Sequence, residues 1–102
     1  MDLKPGSRWK SAVCATEAVV VRPPTSAVTL ECGGQPMVAH AATAPEGLAA
    51  APDLSGGSLV GKRYADAETG LEVLCAKPGV GSLSLSGRLL VVKDAKKLPS
   101  SD

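Results

Sequence analysis

LECGGQPMV, residues 30–38, has the form of the closing half of a metal-binding knuckle: a cysteine, a pair of glycines, then an apolar return into the fold. A closed thiolate site takes about four ligands. The chain holds three cysteines in all, Cys14, Cys32 and Cys75. The stretch therefore reads as a rebuilt metal site, a reduced one, or the remains of one.

On either side of it lie short β-rich runs. SRWKSAV, EAVVV and AVTLE precede it, with the paired prolines of RPPTS marking a bend between the last two. Residues 39–58 are rich in Ala, Pro and Gly and read as a connector, in which Pro45 and Pro52 limit any helical turn. Strand-like runs resume at LVGKRY, LEVLC, SLSLS and LLVV, and a polar tail, 94–102, follows. PGVGSLS, residues 78–84, lacks the Lys-Ser/Thr ending of a phosphate cradle and reads as a hairpin turn equivalent to PPTSAVT.

The two β-rich segments read as copies. A shift of 55 residues places Gly6 on Gly61, Arg8 on Arg63, Trp9 on Tyr64, Glu17 on Glu72, Arg22 on Lys77, Pro23 on Pro78 and Leu30 on Leu85. Dropping one residue from the second copy then places Gly33 on Gly87 and Met37-Val38 on Val91-Val92. Glycine and proline answer specific backbone demands, so their ordered recurrence carries weight. Neither unit holds enough aliphatic surface to close a core alone, so the two are expected to pack together.

Gly6, Trp9, Cys14, the strand Glu17–Val21, Leu30, Cys32, Gly34 and Met37 fall in the order of a known framework. The first segment resembles desulforedoxin and the similar N-terminal domain of some superoxide reductases. That family has a glycine, an aromatic residue, Cys-x-x-Cys, a Val-rich strand and Leu-x-Cys-Cys-Gly-x-x-Met. The resemblance implies an all-β unit that dimerises, each copy binding one iron through four thiolates. This chain departs from the pattern: Ser11 and Gly33 stand where the family has cysteines, so only Cys14 and Cys32 of the ligand set remain. The second copy is expected to carry Asp66, Thr69, Ser86 and Gly87 at the four positions. On the same grounds, Ser11→Cys with Gly33→Cys is expected to restore iron binding.

A shared origin in one coordination sphere places Cys14 and Cys32 within a few ångström of each other. Three roles stay open for them: a packed relic, a zinc or iron site with recruited ligands such as His40, Asp66 or Cys75 or completed across a dimer interface, or a redox pair closing a reversible disulfide. Cys75 falls in a Val/Leu strand and reads as a core thiol; His40 is the only histidine.

Composition excludes several classes. Eleven basic and ten acidic residues leave a net charge of +1, and Trp9 and Tyr64 are the only aromatics. There is neither a basic face for phosphates nor a stacking platform for bases, so nucleic acid is not an expected partner. No apolar run reaches the roughly 20 residues of a membrane span, and MDLKPGSRWK carries no leader pattern. The expectation is a cytoplasmic protein with its thiols reduced and no membrane partner. One histidine without an acidic neighbour in sequence supplies no acyl-transfer machinery.

The fold class expected is all-β: two desulforedoxin-like units, 1–38 and 59–93, forming an internal pseudo-dimer across the 39–58 connector. The function expected is a non-catalytic accessory or protein-binding module without a cofactor, acting on a protein partner or as a homodimer. The alternative is a small zinc or iron metalloprotein, or a thiol-redox protein, with a site on Cys14 and Cys32.

Overall fold

The computed structural model describes residues 1–93. The polar tail, 94–102, lies outside them. The fold is all-β, as expected, with ten short strands in two antiparallel sheets. They are β1 (Arg8–Lys10), β2 (Glu17–Arg22), β3 (Leu30–Cys32), β4 (Gln35–Pro36), β5 (Val38–Ala39), β6 (Arg63–Ala65), β7 (Glu72–Lys77), β8 (Leu83–Leu85), β9 (Arg88–Leu89) and β10 (Val91–Lys93). The larger sheet runs β10-β6-β7-β2-β1-β5 and the smaller β4-β3-β8-β9.

Alternation decides which side chains enter the core. In β2, Ala18 and Val20 are buried; in β7, Val73 and Cys75 are. Leu30, Cys32, Leu83 and Leu85 of the smaller sheet join them, with Met37, Leu71, Tyr64 and Leu90, in one cluster. Aliphatic side chains supply nearly all of it. Tyr64 is buried and its hydroxyl accepts the Leu59 N–H at 2.9 Å. Trp9 is only half-buried against the cluster and donates its indole N–H to Ser7 Oγ at 3.0 Å.

Each sheet is joined at its middle by one strand from each half. β2 and β7 pair Glu17 with Lys77, Ala18 with Cys75, Val19 with Leu74, Val20 with Val73 and Arg22 with Glu72. β3 and β8 pair Leu30 with Leu85, Glu31 with Ser84 and Cys32 with Leu83. Several loop bonds of the first half recur in the second. Gly6 N–H donates to Val20 O and Gly61 N–H to Cys75 O; Ser11 N–H donates to Thr16 O and Asp66 N–H to Leu71 O. Met37 N–H donates to Leu30 O and Leu90 N–H to Leu83 O.

These bonds correct the expected alignment. The hairpins β3–β4 and β8–β9 turn on Gly33-Gly34 and Ser86-Gly87, with φ of 64° and 88° in the first and 48° and 87° in the second. A two-residue hairpin whose central residues both need positive φ admits few side chains, and this turn sets the correspondence. Gly34, not Gly33, therefore matches Gly87, and Met37 matches Leu90. The two hairpins thus correspond at an offset of 53 residues (34 to 87), where the loops before them recur at 55 (6 to 61). At that offset Cys32 and Gly33 fall on Leu85 and Ser86, not on Ser86 and Gly87.

The segment 39–58 is more than a spacer. Pro52–Leu54 forms one 3₁₀ turn, beginning at a proline as its fixed φ favours. Ala51 N–H donates to Gly33 O, Ser82 N–H to Leu54 O, and Gly57 N–H to Val80 O. The segment is thus stitched along the β3–β4 turn and the 78–82 loop.

Candidate functional site

Cys14 lies in the loop between β1 and β2, and Cys32 ends β3. Their sulfurs are 3.6 Å apart although 18 positions separate them in sequence. The loop holds Cys14 in place through Ser11, whose hydroxyl oxygen accepts the backbone N–H of Val13 at 3.0 Å and of Cys14 at 3.1 Å. This is the competition with the main chain that favours Ser in tight turns. Asp66 serves the same purpose in the second half, accepting from Thr69 N at 3.1 Å and Thr69 Oγ1 at 2.8 Å.

The two thiols differ in surroundings. Cys14 is half-buried; Cys32 is fully buried. The Cys14 sulfur lies 3.3 Å from Ser11 Oγ and 3.3 Å from Thr16 Oγ1. Thr16 Oγ1 is 2.5 Å from Ser58 Oγ, so a proton donated by Ser58 leaves the threonine hydroxyl free to donate to sulfur. Burial opposes charge on Cys14. Hydrogen bonds from Ser11 and Thr16, and from the backbone at Thr16 and Gly81, outweigh it and bring the thiol down from 9.0 to about 7. Burial drives Cys32 the other way, up to about 11, and the adjacent Cys14 pushes in the same direction. The site therefore pairs a thiol ready to ionise at neutral pH with a protonated neighbour in contact.

Glycines of the 78–82 loop cover both sulfurs. A Cβ at Gly81 would stand 2.7 Å from Cys32 Sγ and 3.2 Å from Cys14 Sγ; one at Gly79 would stand 2.9 Å from Cys14 Sγ. The loop passes from the larger sheet to the smaller, so PGVGSLS is a crossing rather than the expected hairpin turn. Its role was hidden because nothing in its own sequence reports what it lies against. Ser58 was likewise missed, since it meets Thr16 across 42 positions.

The other candidate ligands stand elsewhere. His40 Nε2 is 3.3 Å from Glu17 Oε1, beside the β1–β5 edge. Asp66 is engaged by Arg88 through Nε at 3.0 Å and Nη2 at 2.9 Å, and this pairing, with the bonds from Thr69, outweighs burial and holds the carboxyl down at about 2. Glu68 also faces Arg88, at 3.8 Å. Cys75 is buried and donates to Lys77 O at 3.1 Å. Among the described residues, no group of three or more His, Cys, Asp or Glu side chains is gathered to hold a metal ion.

The structure also bears on restoring the family's ligand set. Gly33 sits at φ 64°, and a Cβ there would meet Val13 Cγ2 at 2.8 Å and Ala50 Cβ at 3.0 Å. Val13 of the β1–β2 loop and Ala50 of the connector thus crowd any side chain at position 33. Contrary to the expectation from the resemblance, Ser11→Cys with Gly33→Cys should not yield a four-sulfur iron centre. Iron reconstitution should leave the double variant without strong thiolate-to-iron absorption, and Gly33→Cys alone should lower stability by about 1–3 kcal/mol through overpacking.

Among the described residues, no helix is long and apolar enough to cross a membrane. No family model, no curated protein and no solved structure matches this chain.

Proposed function

We propose that the chain is a thiol–disulfide redox module, with Cys14 as the reacting thiol and Cys32 as its buried partner. The single observation that carries this is the 3.6 Å contact between two sulfurs of unequal acidity. A disulfide has an S–S length of about 2.05 Å. Closing it moves the sulfurs together by roughly 1.5 Å and releases two electrons and two protons to an oxidant. The buried partner keeps the pair together once Cys14 has reacted. A zinc or iron site would need two further ligands, supplied by a second copy or by the Ser11 and Thr16 oxygens, which are poor substitutes for thiolates.

Mild oxidation with diamide tests the proposal. Peptide mapping of the oxidised protein should find Cys14 joined to Cys32 within one chain and Cys75 free. A linkage through Cys75, or none after complete oxidant treatment, would remove the redox reading.

We further infer that the two halves are copies of one desulforedoxin-like unit packed as an internal pseudo-dimer. The recurring loop bonds and the mutually consistent β2–β7 register support this. On this reading the first unit kept two thiolates and the second kept none, its ligand positions now being Asp66, Thr69, Leu85 and Ser86.

A protein-binding role draws on a separate observation. Leu59, Val60 and Val80 are each more than half exposed, and Gly57 N–H to Val80 O ties their segments together beside the glycine loop. β10 also leaves one edge of the larger sheet open among the described residues, a place for a partner strand or a second copy.

A further inference from the structure

Resting on the redox reading above, we propose that the oxidant of this pair is a small hydroperoxide, reduced at Cys14 between the Ser11 and Thr16 hydroxyls and beneath the Gly79–Gly81 backbone.

Two features of the geometry select that class. The first is steric. A thiolate attacking a disulfide must bring three sulfurs into line, with a carbon chain on each side of the bond under attack. Here main chain lies so close over both sulfurs that one added methyl group, at Gly79 or Gly81, would stand within 2.7–3.2 Å of them. A peptide disulfide brings far more bulk than a methyl group to the same place. A hydroperoxide needs to present only one oxygen to the sulfur.

The second feature is the donor set. Ser11 Oγ and Thr16 Oγ1 flank the Cys14 sulfur at 3.3 Å each, and Ser58 Oγ stands behind Thr16 at 2.5 Å. Breaking an O–O bond puts negative charge on the departing oxygen, and the Ser11 and Thr16 hydroxyls, which accept from the Cys14 thiol, are free to turn and donate once that thiol has ionised. When a disulfide is the oxidant the charge develops on a larger, softer sulfur, which gains less from such donors.

The step balances as follows. The Cys14 thiolate attacks the nearer peroxide oxygen, an S–O bond forms, the O–O bond breaks, and the alkoxide or hydroxide takes a proton to leave as alcohol or water. Cys14 is then a sulfenic acid. The Cys32 sulfur, already in contact, attacks the Cys14 sulfur; the S–O bond breaks, and the hydroxide leaves as water with the Cys32 proton. The peroxide is reduced by two electrons and the thiol pair is oxidised to the disulfide.

Reduced full-length protein mixed separately with hydrogen peroxide and oxidised glutathione at equal concentration tests this, with the Cys14–Cys32 disulfide followed by acid quench and peptide mass. Hydrogen peroxide should form it about tenfold or more faster than oxidised glutathione does, and about tenfold or more faster than it oxidises free cysteine at the same pH, since one preorganised donor is commonly worth that much or more. Ser11→Ala should slow both reactions at pH 7, since less Cys14 is then thiolate, and should slow the peroxide reaction by the larger factor. In Cys32→Ser, dimedone should trap a sulfenic acid at Cys14. Oxidised glutathione acting as fast as peroxide, or peroxide acting no faster than on free cysteine, would overturn the hydroperoxide assignment and leave the redox pair standing. No Cys14–Cys32 disulfide with either reagent would overturn both.

Discussion

At pH 7, iodoacetamide should label Cys14 about a hundredfold or more faster than Cys32. With the Cys14 thiol at about 7, half of it is thiolate at that pH, against about one part in ten thousand for Cys32 at about 11. The less acidic thiol is intrinsically the better nucleophile. With a Brønsted slope of about 0.4–0.5, the gap in acidity returns roughly two of the four orders of magnitude to Cys32. About two orders remain before access is considered, and Cys32 is 0% exposed. The rate at Cys14 should rise with pH, pass half its plateau near 7 and level off above it, since the thiolate is the form present above the pKa. Ser11→Ala and Thr16→Val should each move that midpoint upward toward 9, because each removes a hydrogen bond that opposes the cost of burial. Labelling by mass after timed quenching gives both rates. Equal labelling of Cys14 and Cys32, or a midpoint near 9 in the unaltered protein, would show that the hydroxyls do not stabilise the thiolate.

Leu30→Ala should lower the stability of the protein by about 3–4 kcal/mol. Leu30 and Leu85 face each other across the β3–β8 pair, both 0% exposed, at the centre of the smaller sheet. Truncation removes the buried surface of one side chain and leaves a cavity that β strands pinned by hydrogen bonds on both sides can close only in part. The loss is a large share of the roughly 5–15 kcal/mol expected of a small domain. The core offers little in compensation, since Tyr64 is its only aromatic member. Leu85→Ala should cost a similar amount, and the double variant less than the sum, because both truncations open one shared space. Urea unfolding should show a lower midpoint with an unchanged slope. A loss below about 1 kcal/mol would mean that the two halves of the chain are not held together through this pair.

Much of the strand content was legible because its signals are local. EAVVV and LEVLC alternate side chains between two environments, and their β-branched and aliphatic residues favour extended backbone. Gly34 and Gly87 mark hairpin turns whose backbone only a few residues accept. The spacing between Gly6 and Gly61, and between Glu17 and Glu72, pointed to matching loops and strands, and the bond pattern recurs at those places. The proximity of Cys14 and Cys32 came from the resemblance rather than from any local signal, and the sulfurs lie 3.6 Å apart.

Beyond Ser11 and Thr16 of the Cys14 loop, the surroundings of the thiols were decided by tertiary structure. Gly79 and Gly81 look like turn residues in sequence, yet their lack of side chains matters because the two sulfurs lie against them. Ser58 falls in an unremarkable polar stretch, yet it shares a hydrogen bond with the Thr16 hydroxyl beside the Cys14 sulfur. Gly33 reads as a lost ligand position that a single substitution would refill, while Ala50, from the connector, fills the space beside it. His40 is the sole histidine and an obvious candidate ligand, but the β1–β5 pairing carries it to Glu17. Local sequence determines how a backbone bends and which face of a strand is apolar. Which distant backbone comes to lie over a side chain depends on how two sheets and a connector close upon one another, and that contact set the burial of Cys32, while the acidity of Cys14 owes most to Ser11 and Thr16 of its own loop.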